Sequence, residues 1–229
     1  MGPNRLNNAM NGRRRAYYSL GEEIAHSVTH GLGAVLSVVG LMLLIIRAAN
    51  TGDLWHIVSF TIFGATLVVL YVSSTLYHAL IPPRARQVFK VLDHIAIYLL
   101  IAGSYTPFLL VTLRGPWGWS LFGVVWGLSI AGIVFKVFSA GRFKLLSTIF
   151  YLGLGWLCVV AAKPLVSQVP AEGLVWLVAG GLAYSVGTIF YLWRGMKFHH
   201  AVWHVFVLVG STCHFWAIYE YVGRPLRMS

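Results

Sequence analysis

Apolar residues run along this chain in seven long stretches, at about 24–47, 55–81, 89–113, 117–138, 143–163, 173–193 and 201–222. A helix needs roughly 20 apolar residues to cross the hydrocarbon of a bilayer, and each stretch meets that length. The polar breaks between them carry turn chemistry: "NTGD", "IPPRAR", "RGPWG", "SAGR", "VPAEG" and "RGMKFH". The pattern predicts an all-α membrane protein, a seven-transmembrane helix bundle. A polar basic tail at 1–20 precedes one transmembrane domain at 21–229. No connection is long enough for a domain of its own, so function must reside in the bundle. Pro107, inside the third stretch in "GSYTPF", should kink that helix.

Composition supports this. The 229 residues are 58% hydrophobic and 10% charged, whereas a soluble domain carries about 25% charged residues. No cleavable signal peptide is expected, because the start is polar and the first apolar run is too long for a signal core. The "RRR" at 13–15 is followed by "EE" and two histidines before hydrophobicity is sustained, unlike a twin-arginine signal. Cys158 and Cys213 both lie in apolar runs and read as small packing residues.

Charge then gives an orientation. Alternating the segments places twelve Lys and Arg on one side, from Arg5 and Arg13–Arg15 through Arg84, Arg86 and Lys136 to Arg194 and Lys197. The other side holds five: Arg47, Arg114, Lys163, Arg224 and Arg227. The richer side should be cytoplasmic, with the N-terminus inside and the C-terminus outside. The net charge of +11 is thereby a topology signal suited to anionic lipid headgroups, and nucleic-acid binding need not be invoked.

The same alternation gathers the polar residues. Span 1 begins with Glu22, Glu23, His26 and His30, and span 2 ends with Ser74 and His78. Span 3 begins with Asp93 and His94, and span 7 with His199, His200 and His204. Ionisable residues in spans are costly and mark function, and here four distant segments bring them to one depth. Residues four apart share a helix face, which aligns Ser74 with His78, His200 with His204, and Glu22 with His26 and His30.

An i, i+4 histidine pair with a third histidine from a facing helix suits zinc, which in catalytic sites takes three protein ligands and keeps one position open. The expected ligands are His78, His200 and His204, with Asp93 as base or orienter and Ser74 a turn deeper. The alternative for these histidines is hydrogen bonding across helices or lining a hydrated pocket. His214 lies ten residues past His204, about 15 Å along a helix, too far to share the ion. Glu22, His26 and His30 form a second polar layer, His56 an interfacial residue, and His94 a locally bonded one. Most tryptophans are expected at the membrane interfaces.

The chain resembles the progestin and adiponectin receptor superfamily, and specifically its bacterial haemolysin III branch. The resemblance rests on "EEIAHSVTHGLG" (22–33), "SSTLYHAL" (73–80), "LDHIAIYLLIAGSYTPF" (92–108) and "HAVWHVFVLVGSTCHF" (200–215). Bacterial members often have Asn where this chain has His26. The resemblance implies a zinc held by His78, His200 and His204, with Ser74 and Asp93 nearby. It also implies membership of a wider group of proposed metal-dependent membrane hydrolases, receptor relatives being linked to ceramidase-like amide hydrolysis. The bacterial branch is named for haemolysis and associated with membrane homeostasis. The leading expectation is a zinc-dependent hydrolase of lipid amides or esters, with membrane lipids as partners. A zinc-stabilised sensor or receptor, an ion or proton pathway using His214, and a haemolysin are the alternatives.

Overall fold

The computed structural model describes residues 18–139, 142–193 and 195–224. The basic tail at 1–17, Arg194, and residues 225–229 with Arg227 lie outside the described residues. Seven helices are long and apolar enough to span a membrane: α1 (Leu20–Ala49), α2 (Leu54–Ala79), α3 (Pro83–Thr112), α4 (Pro116–Ser139), α5 (Lys144–Gln168), α6 (Ala171–Leu192) and α7 (His199–Tyr221). The described residues contain no strand.

Local chemistry sets the ends. Ser19 caps α1 in a capping box, its hydroxyl accepting from the Glu22 amide while the Glu22 carboxylate accepts from the Ser19 amide at 2.9 Å. Asp53 caps α2 through the Trp55 amide. α3 starts at Pro83, six residues before the apolar stretch, because a proline in the first turn gives up no helical bond.

Two helices change pitch within the bundle. After Pro107, α3 continues as a π-helical turn, Phe108–Thr112, with the Leu113 amide donating to the Phe108 carbonyl at 2.7 Å. The predicted disturbance at Pro107 therefore takes the form of a widened turn. α5 tightens to a 3-10 stretch at Trp156–Ala161 and then resumes as Ala162–Gln168, five residues beyond the expected end. The Tyr105 hydroxyl fills this break from α3. It lies 2.6 Å from the Gly155 carbonyl and 3.0 Å from that of Leu154, and accepts from the Cys158 amide at 2.8 Å. Within a bilayer, backbone groups freed by a pitch change need a protein partner.

Burial sorts the helices. In their apolar windows α2 and α3 are each 56% buried and α7 44%, against 17% for α4 and 22% for α6. The centre holds Leu44, Phe60, Phe63, Leu67, Leu100, Phe108 and Ile218, while most aliphatic side chains of α4–α6 face outward. α1 turns one stripe inward: Glu23, His26, His30, Gly33, Ser37, Gly40 and Leu44. A Cβ on Gly33 would lie 2.5 Å from the Tyr71 ring, so the close approach of α1 to α2 requires glycine there.

Candidate metal centre

The start of α1, the end of α2, the start of α3 and the start of α7 meet at one end of the bundle. His26, His30, Ser74, His78, His200 and His204 are all buried there. One ring nitrogen each from His78, His200 and His204 lie within 4.8 Å of one another, as the pairing of spacing and alternation leads one to expect.

Hydrogen bonds on the far sides of the rings set their orientation. His78 Nδ1–H donates to Glu23 Oε2 at 2.8 Å, and the other oxygen of Glu23 accepts from the Arg86 guanidinium. His204 Nδ1–H points at the His26 carbonyl, 3.3 Å, and at Thr29 Oγ1, 3.2 Å. These bonds leave Nε2 of both residues as the unprotonated nitrogen. Among the described residues, His78 Nε2 and His200 Nδ1 are buried without a hydrogen-bond partner. Buried polar atoms are ordinarily satisfied, and three imidazoles converging in this way could hold a metal ion. The residues fit the ion that the sequence motifs imply. Glu23 and Arg86 supply the carboxylate support that metal-binding histidines commonly have.

The remaining candidates arrange themselves around this set. The His30 ring stacks on His204, centres 3.5 Å apart, and its Nδ1 bonds Ser74 Oγ at 2.7 Å. Ser74 thus reaches the cluster through His30, and on its other side faces the Asp93 carboxyl. Glu22 closes the capping box and also accepts from the Phe198 amide at 3.2 Å, tying the start of α1 to the turn before α7. The Tyr18 ring covers His26 edge-on and stacks on His200.

Four histidines are bound locally. His56 Nδ1 pairs with Asp53 at 2.8 Å, His94 with the Lys90 carbonyl at 2.6 Å, His199 with the Phe190 carbonyl at 3.0 Å and His214 with the Gly210 carbonyl at 2.9 Å.

A cavity of about 990 Å³ opens beside the cluster. Glu22, His30, Asp93, His200 and His204 line it at this end, and His214 lies further along. Its lining follows α3 from Asp93 to Leu113, about 30 Å of helix. The walls are mostly apolar, with Leu100, Ile101, Phe108, Leu165, Leu174 and Leu177 among them.

The sequence places Glu23 at this depth beside Glu22, but only Glu22 is expected among the site residues, and Arg86 is not singled out. One signal was available: Ser19 and Glu22 form the S-x-x-E pattern of a capping box, which commits Glu22 to the helix end and frees Glu23 for the interior.

The chain matches the haemolysin-III related family over residues 18–215. It is 50% identical over 204 residues to the Hemolysin-3 homolog of Bacillus subtilis (strain 168), covering 89% of this chain and 96% of that one. It is also 50% identical to Hemolysin-3 of Bacillus cereus over 201 residues, 88% of this chain and 92% of the relative. The human monocyte to macrophage differentiation factor is 29% identical over 209 residues, 89% of this chain and 85% of that protein. Seven apolar helices and relatives of this kind describe a multi-pass protein of a bacterial cell membrane. With the match extending from the first residue of the described structure through most of α7, the chain belongs to the haemolysin III-related family.

Proposed function

We propose that this protein is a zinc-dependent hydrolase of lipid amide or ester bonds, working from within the membrane. The observation that carries this reading is the long apolar cavity ending at His200 and His204: its length and lining suit an acyl chain, and its polar end suits a carbonyl. His78, His200 and His204 hold the ion. Zinc bound there would polarise the substrate carbonyl and lower the pKa of water towards about 7. Glu23 fixes the His78 ring, and Arg86 holds Glu23 in place. Asp93, on the cavity wall beside Ser74, takes the proton from the attacking water, while the Ser74 hydroxyl orients that water. The excess of basic residues supports placing this end at the cytoplasmic face, so the scissile bond would lie near the inner headgroups.

The test is turnover of acyl-labelled ceramide and diacyl ester substrates by the protein in nanodiscs, with metal content measured in parallel. Asp93→Asn should retain zinc and lose about 10²- to 10⁴-fold in rate. Wild-type turnover in that variant would remove Asp93 from the mechanism.

A second reading is a zinc-stabilised sensor, with the ion holding α2 and α7 together. The crowding of a further imidazole, His26, into the cluster favours it, because zinc sites closed by protein ligands are structural. Wild-type protein with full zinc and no turnover on any acyl substrate would decide for this reading.

A further inference from the structure

His26 is 0% exposed, and neither of its ring nitrogens has a hydrogen-bond partner among the described residues. Its Nδ1 stands 3.8 Å from the Glu23 carboxylate, within ion-pair reach but beyond hydrogen-bond distance. An imidazole buried with both nitrogens unsatisfied costs free energy comparable to lost hydrogen bonds, so the surroundings must offer it a partner.

Besides Glu23 and the edge-on Tyr18 ring, three other imidazoles surround His26. The ring of His26 lies 4.6 Å from that of His78, 4.9 Å from His200 and 5.4 Å from His204, centre to centre. Those three are 5.2, 5.3 and 4.6 Å from one another. The four ring centres are thus nearly equidistant, as at the corners of a tetrahedron, although the nitrogens of His78, His200 and His204 converge within 4.8 Å while that of His26 groups with His78 and Glu23. Imidazoles on one tetrahedral ion, with metal–nitrogen bonds of about 2 Å, have ring centres about 5 Å apart. His30 does not share this arrangement: it stacks flat on His204 at 3.5 Å and gives its Nδ1 to Ser74, although its buried Nε2 also has no partner among the described residues.

We infer that His26 is the fourth imidazole of the metal centre, so that the ion at rest is held by His26, His78, His200 and His204. The inference rests on the metal-binding part of the proposed function, and of its two readings a closed centre favours the zinc-stabilised sensor. A second ion is the rival arrangement, because Glu23, His26 and His78 also bring ligand atoms within 4.8 Å of one another. Charge opposes it. Glu23 is engaged by the Arg86 guanidinium, which would stand beside the added cation, and His78 already gives its Nδ1 to Glu23. A centre closed by four imidazoles has no place for water, so any turnover would begin with His26 withdrawing.

X-ray absorption of the zinc-loaded protein counts imidazoles directly, and the visible spectrum of the cobalt-loaded protein reports the same coordination. Wild type should show four imidazoles and one ion per chain. His26→Asn should keep one ion, show three imidazoles with an oxygen in place of the fourth, and bind zinc at least about tenfold more weakly. Three imidazoles in the wild type, or an unchanged cobalt spectrum in His26→Asn, would overturn the inference while leaving the three-histidine centre standing. Two ions per chain, one of them lost in Glu23→Gln, would overturn it in favour of the second site. Absence of stoichiometric metal from wild type would sink this inference and the metal reading together. The wild-type imidazole count decides the matter even if His26→Asn does not fold.

Discussion

His78, His200 and His26 differ from His56, His94, His199 and His214 in one respect: what their ring nitrogens find. In the second group Nδ1 reaches a nearby oxygen, and for His94 and His214 that oxygen is the carbonyl four residues back on the same helix. In the first group at least one buried nitrogen of each ring has no partner among the described residues. A histidine that can close its bond on its own helix is content wherever the bundle places it. One that cannot needs a partner from another element, and Nε2 of His30, stacked on His204, shares that need with His78, His200 and His26.

The largest expected effect that tests this contrast is on metal. His78→Ala should abolish stoichiometric zinc, whereas His56→Ala should leave it intact, both read by elemental analysis of purified protein. Equal metal content in the two variants would erase the distinction.

Next comes the support behind His78. Arg86→Met leaves Glu23 buried without its cation, and breaking a buried ion pair costs about 3–5 kcal/mol, to be read as a lowered thermal midpoint in detergent. Glu23→Gln keeps the shape of the side chain but weakens its hold on His78, and should reduce zinc affinity about 10- to 100-fold by chelator competition. Wild-type affinity in that variant would mean that the Glu23 bond does not orient the ligand.

A smaller effect is expected deeper in the bundle, where polar groups satisfy one another. The Tyr71 hydroxyl donates to Ser211 Oγ at 2.7 Å, and Ser211 also bonds the Tyr184 hydroxyl at 2.9 Å. Tyr71→Phe should cost about 1 kcal/mol with metal unchanged. Loss of metal would show that the layer is coupled to the site.

The smallest effect belongs to the pair at the other end. The His56 imidazole, bonded to Asp53, is the main cause holding that carboxyl below the ordinary aspartate range. A depressed carboxyl contributes stability above its unfolded pKa of about 4, and loses it as pH falls. His56→Ala should therefore destabilise by less than about 1 kcal/mol at neutral pH, and the difference from wild type should vanish on acidification. A difference that grows in acid would reverse the assignment.

Much of this was legible in the sequence, for a physical reason in each case. The seven spans stand out because hydrocarbon thickness fixes how long an apolar run must be. The meeting of "SSTLYHAL" with "HAVWH" follows from alternating those spans and from the i, i+4 face of a helix. Arg86 was not legible, since nothing in "IPPRAR" says which of its arginines turns inward to Glu23. The four-ring arrangement was not legible either, because i, i+4 spacing puts His26 on the face of His30 without saying which of the two meets His200. The pitch change in α5 went unread although "GWLCVVAAKP" carries its signal: Pro164 cannot donate to the Val160 carbonyl four residues back, inside the 3-10 stretch. The cavity depends on where helices part, which periodicity does not record.

The Tyr105 hydroxyl bears on how the protein is made. The fifth span can enter the membrane on its apolar length alone, but the hydroxyl that joins the carbonyls of Leu154 and Gly155 to the amide of Cys158 comes from α3. A span synthesised later is completed by a residue synthesised earlier, so insertion and folding of α5 are separate events. The wall that α5 gives the cavity takes its final form only once α3 has docked against it, and an assembly arrested before that step would have all its spans and no finished chamber.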